Sequence, residues 1–325
     1  MNRVTLGDVC KKASSNIAQK DLNGNEGEYP IYGASGYIKT VDFYHQEEPY
    51  IAIVKDGAGI GRTMLLPAKS SVIGTMQYIL LKEDKNVDLD YLYYAIVHMN
   101  LGKYFSGATI PHIYFKDYQK EPLNLPDMCE QQQIARIFKK IDALISGRKE
   151  QIEHLDELVK SRFIELFYDK GYPVLNWNDV FNTTTGKLDS NASVEEGAYP
   201  FFTCSKEALK IDTFAFDQKA LLLAGNNAAG KYDVKYYDGK FNAYQRTYVL
   251  TLKENWSYRL FQYQLEDKLE YLQQQSLGGL TKYLTFKILG KLEFVIPPKD
   301  LQSEFETFVV QIDKSKHFSE LEVAA

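Results

Sequence analysis

Leu123-Asn124-Leu125-Pro126 and Phe294-Val295-Ile296-Pro297 are two copies of one junction: a short apolar strand, a proline, then a long helical stretch. They lie 171 residues apart. Working outward, the chain keeps repeating itself at nearly the same displacement. Asp8-Val9 recurs as Asp179-Val180, Tyr29-Pro30 as Tyr199-Pro200, and Ile141-Asp142 as Ile312-Asp313. The apolar run Tyr50 to Val54 matches Ala220 to Ala224, and the small-residue loop Asp56-Gly57-Ala58-Gly59 matches Asn226-Asn227-Ala228-Ala229. A period this long is no solenoid repeat; it marks a duplicated domain.

Each half carries the same parts in the same order. A polar, turn-rich stretch (Ser14 to Gly27; Thr183 to Gly197) leads into short strand-like runs punctuated by glycine and small residues. These runs are Tyr50 to Val54 and Tyr78 to Leu81 in the first half, Lys219 to Leu223 and Tyr248 to Leu252 in the second. One helix follows, expected over Asp90 to Phe105 and over Ser257 to Gln275, and each runs into a glycine loop at Gly107 or Gly278.

After Pro126, Asp127 and Glu130 are spaced as a capping box. From Glu130 to Phe167 the apolar pattern is heptad-like, with Ile134, Ile141 and Leu155 beside Ile137, Leu144 and Leu158, widened by Ile145 and Ile152. Such a helix is about 55 Å long, more than one domain of this size requires, and reads as a projecting spacer. Gly147 in its middle marks either a close helix approach or a tolerated irregularity. A shorter second helix, from about Leu301, repeats the stripe with Phe305, Phe308 and Ile312. The fold expected is therefore α+β: two tandem β-rich domains (1–126 and 169–297), each followed by a helix (127–168 and 298–325), the helices pairing as an antiparallel coiled coil.

Composition narrows the function classes. Apolar content of 45% and charged content of 25% suit a water-soluble globular chain, and no apolar run approaches the length of a membrane span. The N-terminus lacks a secretory apolar stretch. Cys10, Cys129 and Cys204 are odd in number, far apart, and read as reduced, buried small hydrophobes of a cytoplasmic protein. The net charge of −5 does not advertise nucleic-acid binding, and residues 1–130 hold 13 basic and 16 acidic side chains against 16 of each in 169–300. DNA binding would need charge segregated on one face, or a basic partner sharing the phosphates. Most of the 24 tyrosines suit β-rich cores and sheet faces.

Catalytic signatures are missing. Gly57-Ala58-Gly59-Ile60-Gly61 follows a strand, but Arg62 stands at the third motif glycine and Pro67 closes off any helix that could hold a pyrophosphate. There is no Walker A sequence, no Asn-Pro-Pro-aromatic tetrapeptide of an amino-methyltransferase, and no Ser/His/Asp arrangement. The histidines (His45, His98, His112, His154, His317) form no ligand pair, so no metal site is expected.

The tandem layout resembles the specificity subunit of type I restriction–modification enzymes, over the whole chain. The residues that carry the likeness are Tyr29 to Tyr37, Gly107 to Ile113 and, most strongly, Pro126-Asp127-Met128-Cys129-Glu130-Gln131-Gln132-Gln133-Ile134-Ala135 with Ile141 to Ile145. Tyr199-Pro200-Phe201-Phe202, Gly278-Gly279-Leu280-Thr281 and Pro297-Pro298 to Ile312-Asp313 complete the pairing. The resemblance implies that each β-rich domain is a target recognition domain reading half of a bipartite double-stranded DNA site. It implies that the helices set the gap and dock DNA methyltransferase (modification) subunits. It also implies a non-catalytic chain without cofactors of its own: S-adenosylmethionine would sit on the methylation subunits, and ATP and Mg on a restriction/translocase subunit.

Turn residues beside glycine-rich loops are the expected readers, because backbone can approach phosphate there and polar side chains can reach base edges. In the first domain these are Tyr32, Ser35, Tyr37, Lys55, Arg62, Gln77, Gly107, Thr109 and His112. In the second they are Ser205, Lys206, Asn226, Asn227, Lys231, Gln245, Arg246, Gly278, Thr281 and Lys282. Gln245-Arg246 is the sharpest pair, since Arg favours guanine and Gln favours adenine. The competing readings are a duplicated protein-binding scaffold without DNA sequence preference, and an enzyme with an unrecognised site.

Overall fold

The computed structural model describes residues 2–324 apart from 84, 108, 109, 228 and 229. It divides into two compact units, Met1–Ser146 and Gly147–Ala325.

The first unit is built on a four-stranded antiparallel sheet in the order Cys10–Ser14, Met76–Leu81, Tyr50–Val54, Thr63–Leu66. Tyr50–Val54 is buried along its whole length, as an unbroken apolar run requires when both sheet faces are covered. Side chains alternate across a strand. Ile51 and Ile53 therefore meet Leu92 and Ile96 of helix α1 (Leu89–His98), while Tyr50, Ala52 and Val54 pack with Leu66, Val72, Met76 and Tyr78 on the other face. A three-stranded sheet in the order Gly36–Val41, Tyr29–Gly33, Ser71–Val72 adds Tyr32 and Val72 to the core on that second face, and Asn2–Thr5 pairs with Pro122–Leu125.

The second unit repeats the central sheet strand for strand: Phe181–Thr185, Thr247–Leu252, Phe216–Ala224, Val234–Ala243. Its middle hairpin is longer, with strands of nine and ten residues against five and four in the first unit. The extension carries Val234–Ala243 far enough to pair in parallel with Tyr199–Phe202, at Phe201↔Asn242. Leu209–Ile211 adds the last strand, and the sheet has six. The first unit makes the same parallel pairing at Ile31↔Ser71, but on a separate two-residue strand, so its two sheets stay distinct.

Both expected mid-domain helices are shorter than their apolar patterns. The first ends at His98; Asn100 adopts a left-handed conformation (φ 49°) and the chain resumes as a 3-10 turn, Leu101–Tyr104. The second is two helices, Tyr258–Glu266 and Leu269–Gln275, broken at Asp267-Lys268.

Helix α2 (Met128–Phe167) begins at the junction after Pro126. Asp127 Oδ1 accepts the Glu130 amide at 2.9 Å, the cap read from the sequence. A second device was not foreseen. Gln131, 1% exposed, accepts the Asp88 amide (2.8 Å) and donates to Pro126 O (2.9 Å), tying the first turn of α2 to the residue that caps α1.

In the second unit, α3 (Tyr258–Glu266) and α4 (Leu269–Gln275) precede α5 (Lys299–Ala324). Gln302, again 171 residues on, accepts the Ser257 amide (3.0 Å) and donates to Pro297 O (2.8 Å). Ser257 in turn caps α3. The last part of α2 packs antiparallel on α5. Leu155, Val159, Phe163, Leu166 and Phe167 meet Phe305, Phe308, Val309 and Ile312, with Leu260 and Tyr263 of α3 closing the cluster. Ion pairs Arg162–Glu304 and Asp156–Lys316 fix the direction, since moving back along α2 moves forward along α5.

Other stripe positions of α2 are not packed this way. Ile134 leans on the first unit's core and Ile145 and Ile152 are half-buried, but Ile137, Ile141, Leu144 and Leu158 are exposed. A Cβ on Gly147 would meet nothing within 4 Å, so the glycine serves no close approach. The cysteines also differ from the reading of buried hydrophobes: Cys10 is buried, Cys204 half-buried and Cys129 exposed. Among the described residues, no helix is long and apolar enough to cross a membrane.

Candidate nucleic-acid interface

The glycine loop of the second unit is shaped by its backbone. Leu277 and Tyr283 exchange both amide bonds, N to O at 3.1 and 2.9 Å, closing a small hairpin. Gly278 turns it with φ +103°, and a Cβ there would stand 2.2 Å from Thr281 O, so glycine is required. The far side of the hairpin pairs with the end of the central hairpin strand, Asn226↔Tyr283 and Asn227↔Lys282. Gly225 then donates to Arg246 O (2.9 Å) and accepts from Leu284 N (2.9 Å), and its missing Cβ leaves room for the Arg246 carbonyl. Three segments distant in sequence are thereby stitched edge to edge.

They enclose a groove of about 320 Å³ lined by Ser205, Asn226, Asn227 and Thr281 together with Ser190, Thr203, Cys204, Leu209 and Tyr244. Four residues singled out from the sequence thus converge. Hydroxyls and amides of this kind donate and accept in the pattern that base edges and phosphates require. Lys206, Lys231, Gln245 and Arg246 are exposed, and Lys282 is half-buried. Gln245 is already engaged: its Nε2 donates to Asp189 Oδ2 at 3.2 Å. Ser190, Thr203 and Tyr244 were missed, although Tyr244 directly precedes Gln245 and the turn itself was legible.

The first unit builds the same loop with different side chains. Ser106 and His112 exchange both amide bonds at 2.8 Å, and Gly107 (φ +102°) would put a Cβ 2.5 Å from Ile110 O. The hairpin docks on the equivalent strand end, with Gly57 N to Pro111 O at 3.0 Å and Ile113 N to Lys55 O at 2.9 Å. Here a histidine and a carboxylate make the contact. His112 Nδ1 lies 2.6 Å from Asp56 Oδ1, and Lys55 Nζ lies 3.4 Å from the other carboxylate oxygen. Arg62, exposed, donates to Ala34 O (2.7 Å) and so stands beside the turn that carries Ser35 and Tyr37, both exposed; Tyr32 packs edge-on against Tyr37. Burial pushes the Tyr32 phenol above its ordinary pKa. Thr109 lies outside the described residues.

Gln77 needs correcting as a DNA reader. It is 3% exposed, and its amide donates to the buried Tyr118 hydroxyl. In the strand Met76–Leu81 it shares a face with Ile79, which belongs to the core under α1. The Gly57–Gly61 turn runs directly into the strand Thr63–Leu66 and not into a helix, so it lacks the strand–loop–helix order of a dinucleotide loop. Among the described residues, no group of three or more His, Cys, Asp and Glu side chains gathers as a metal site.

A junction glutamine and a pinned glycine loop recur in each copy of the β-rich domain, which makes this a two-module protein. The family described as type I restriction modification DNA specificity domain matches residues 1–154 and again 170–321, and the chain belongs to it. The type I restriction enzyme EcoDI specificity subunit of Escherichia coli is 34% identical over 145 residues, 42% of this chain and 31% of that protein. The MjaVIII specificity subunit of Methanocaldococcus jannaschii is 30% identical over 180 residues, 50% of this chain and 41% of that protein. The alignments therefore span less than half the length of these relatives. The crystal structure of the type I restriction–modification system S subunit from M. genitalium superposes with a TM-score of 0.66 at 17% identity, over 99% of this chain and 92% of that one, which shows a shared fold.

Proposed function

We propose that this chain is the sequence-reading specificity subunit of a cytoplasmic type I restriction–modification complex. Each β-rich unit reads one half of a bipartite double-stranded DNA site. The observation that carries this reading is the duplicated loop: one frame, held by glycine and main-chain bonds, stands beside hydroxyls and amides in the second unit and beside His112, Asp56 and Lys55 in the first. Two frames with different faces suit two different half-sites.

The chain itself does no chemistry in this reading. Methylation subunits bring S-adenosylmethionine, and a restriction/translocase subunit brings ATP and Mg. The exposed apolar residues Ile137, Phe138, Ile141 and Leu144 on α2 support a docking role, since a contiguous apolar face on a water-soluble helix marks an interaction surface. The net charge of −5 supports shared phosphate binding with basic partners.

The test is methylome sequencing of cells expressing this chain with its methylation subunits. A split motif, methylated on adenine in both parts, is expected. An uninterrupted motif overturns the two-reader scheme, and methylation without sequence preference favours the protein-binding scaffold instead.

A further inference from the structure

The second unit's loop carries a side chain that its polar lining does not explain. Leu280 is 95% exposed, more than any other large apolar residue of the described chain. Leaving leucine in water forgoes about 1.5–3 kcal/mol of burial. A slack loop would fold such a residue down. This loop is not slack: Leu277 and Tyr283 close it with two main-chain bonds, Asn227↔Lys282 docks it, and Gly278 fixes its turn. Leu280 is thus held outward beside Thr281, at the rim of the groove lined by Asn226, Asn227 and Ser205.

An aliphatic side chain held outward beside hydrogen-bonding groups has a specific counterpart in DNA. In the major groove an A·T pair presents the thymine 5-methyl beside the O4 acceptor and the adenine N7 and N6 groups; asparagine suits the adenine edge and an aliphatic side chain suits the methyl. Resting on the proposed DNA-reading role, we infer that Leu280 packs on a thymine 5-methyl in the half-site read by the second unit, and that this contact helps set its specificity. The counterpart position in the first copy is Thr109, whose side chain is shorter and carries a single methyl group.

The test uses the full chain assembled with its methylation subunits and duplexes carrying the motif found by methylome sequencing. Each thymine is replaced in turn by deoxyuridine, which removes only the methyl group. One replacement in the second unit's half-site weakens binding by about 3- to 10-fold, the size expected for one or two methyl-sized contacts. The Leu280→Ala complex binds thymine DNA that much more weakly and no longer distinguishes thymine from uracil at that position. Unfolding of the variant chain is unchanged, because the side chain touches little.

No deoxyuridine effect in the second unit's half-site, or an effect that persists in Leu280→Ala, overturns the inference while leaving the DNA-reading role intact. A Leu280-dependent rise in 2-aminopurine fluorescence with no deoxyuridine effect also overturns it, in favour of a wedge between bases. Absence of any sequence preference in the wild-type complex removes the DNA-reading role itself.

Discussion

The two glycine loops share a backbone and differ in what fastens it. In the first unit the loop meets the sheet through the His112–Asp56 pair with Lys55 beside it; in the second, Tyr283 and Lys282 meet Asn226 and Asn227. Yet Gly107 and Gly278 turn with φ +102° and +103°, and each is excluded from carrying a Cβ by the carbonyl three residues on. The frame is therefore set by main-chain bonds, and side chains around it are free to diverge. That is the property a family of readers needs: new contacts without a new fold.

The largest contrast between the copies should come from the helix position shared by Ile134 and Phe305. Phe305 is 0% exposed and touches Phe163, Phe167 and Tyr263, whereas Ile134 is half-buried at the edge of its core. Phe305→Ala should destabilise the second unit by about 3–5 kcal/mol, and Ile134→Ala the first by about 1–2 kcal/mol. Denaturant unfolding followed by unit-specific probes would show this, and equal losses would break the asymmetry.

The junction glutamines should behave alike. Gln131→Leu and Gln302→Leu each strand a buried amide and a buried carbonyl, at about 2–4 kcal/mol apiece. Thermal unfolding checks the pair; a harmless substitution in one copy would mean that its junction is held by something else.

Gly147→Ala adds its methyl in mid-helix, where nothing stands within 4 Å. Helix propensity should raise stability by about 1 kcal/mol, and a loss in denaturant titration would reveal a contact at this point.

The smallest effect is a pH dependence confined to the first copy. Lys103 and the Tyr104 hydroxyl hold the Glu121 carboxyl below its ordinary pKa. The copy's counterpart is Leu292, which is buried. A carboxylate depressed in the folded state contributes stability in full above its unfolded pKa and loses it as pH falls through the folded value. Glu121→Gln should therefore flatten the acid side of the first unit's stability profile and leave the second unit's unchanged.

Much of this was legible because strong periodicity survives tertiary context. The Tyr50–Val54 run, the long α2 stripe and the 171-residue echo each appear where the sequence put them. Helix breaks were harder to read: the Asp267-Lys268 step interrupts its apolar pattern without a proline or glycine to announce it, and at Asn100 the one sign was Gly102, two residues on. Gln131 was hidden in a run of three glutamines, and only the phase of the helix decides which one turns inward. Gln77 could have been placed by alternation with Ile79, but its polarity invited a surface role. In the second unit, four groove residues were found because small and polar residues cluster at turns; the outward Leu280 was passed over because an exposed leucine has no polarity to draw attention.

The three thiols give the chain a footprinting reagent of its own. Burial pushes Cys10 up to about 12, which keeps it protonated and inert to alkylation at neutral pH. Cys129 stands open at the start of α2, while Cys204 lines the groove with its sulfur 3.5 Å from Arg246 O. Iodoacetamide should therefore label two positions at different rates. A duplex seated in the second unit should shield one and spare the other, so that mass spectrometry of the alkylated chain locates occupancy with an internal reference and no introduced tag.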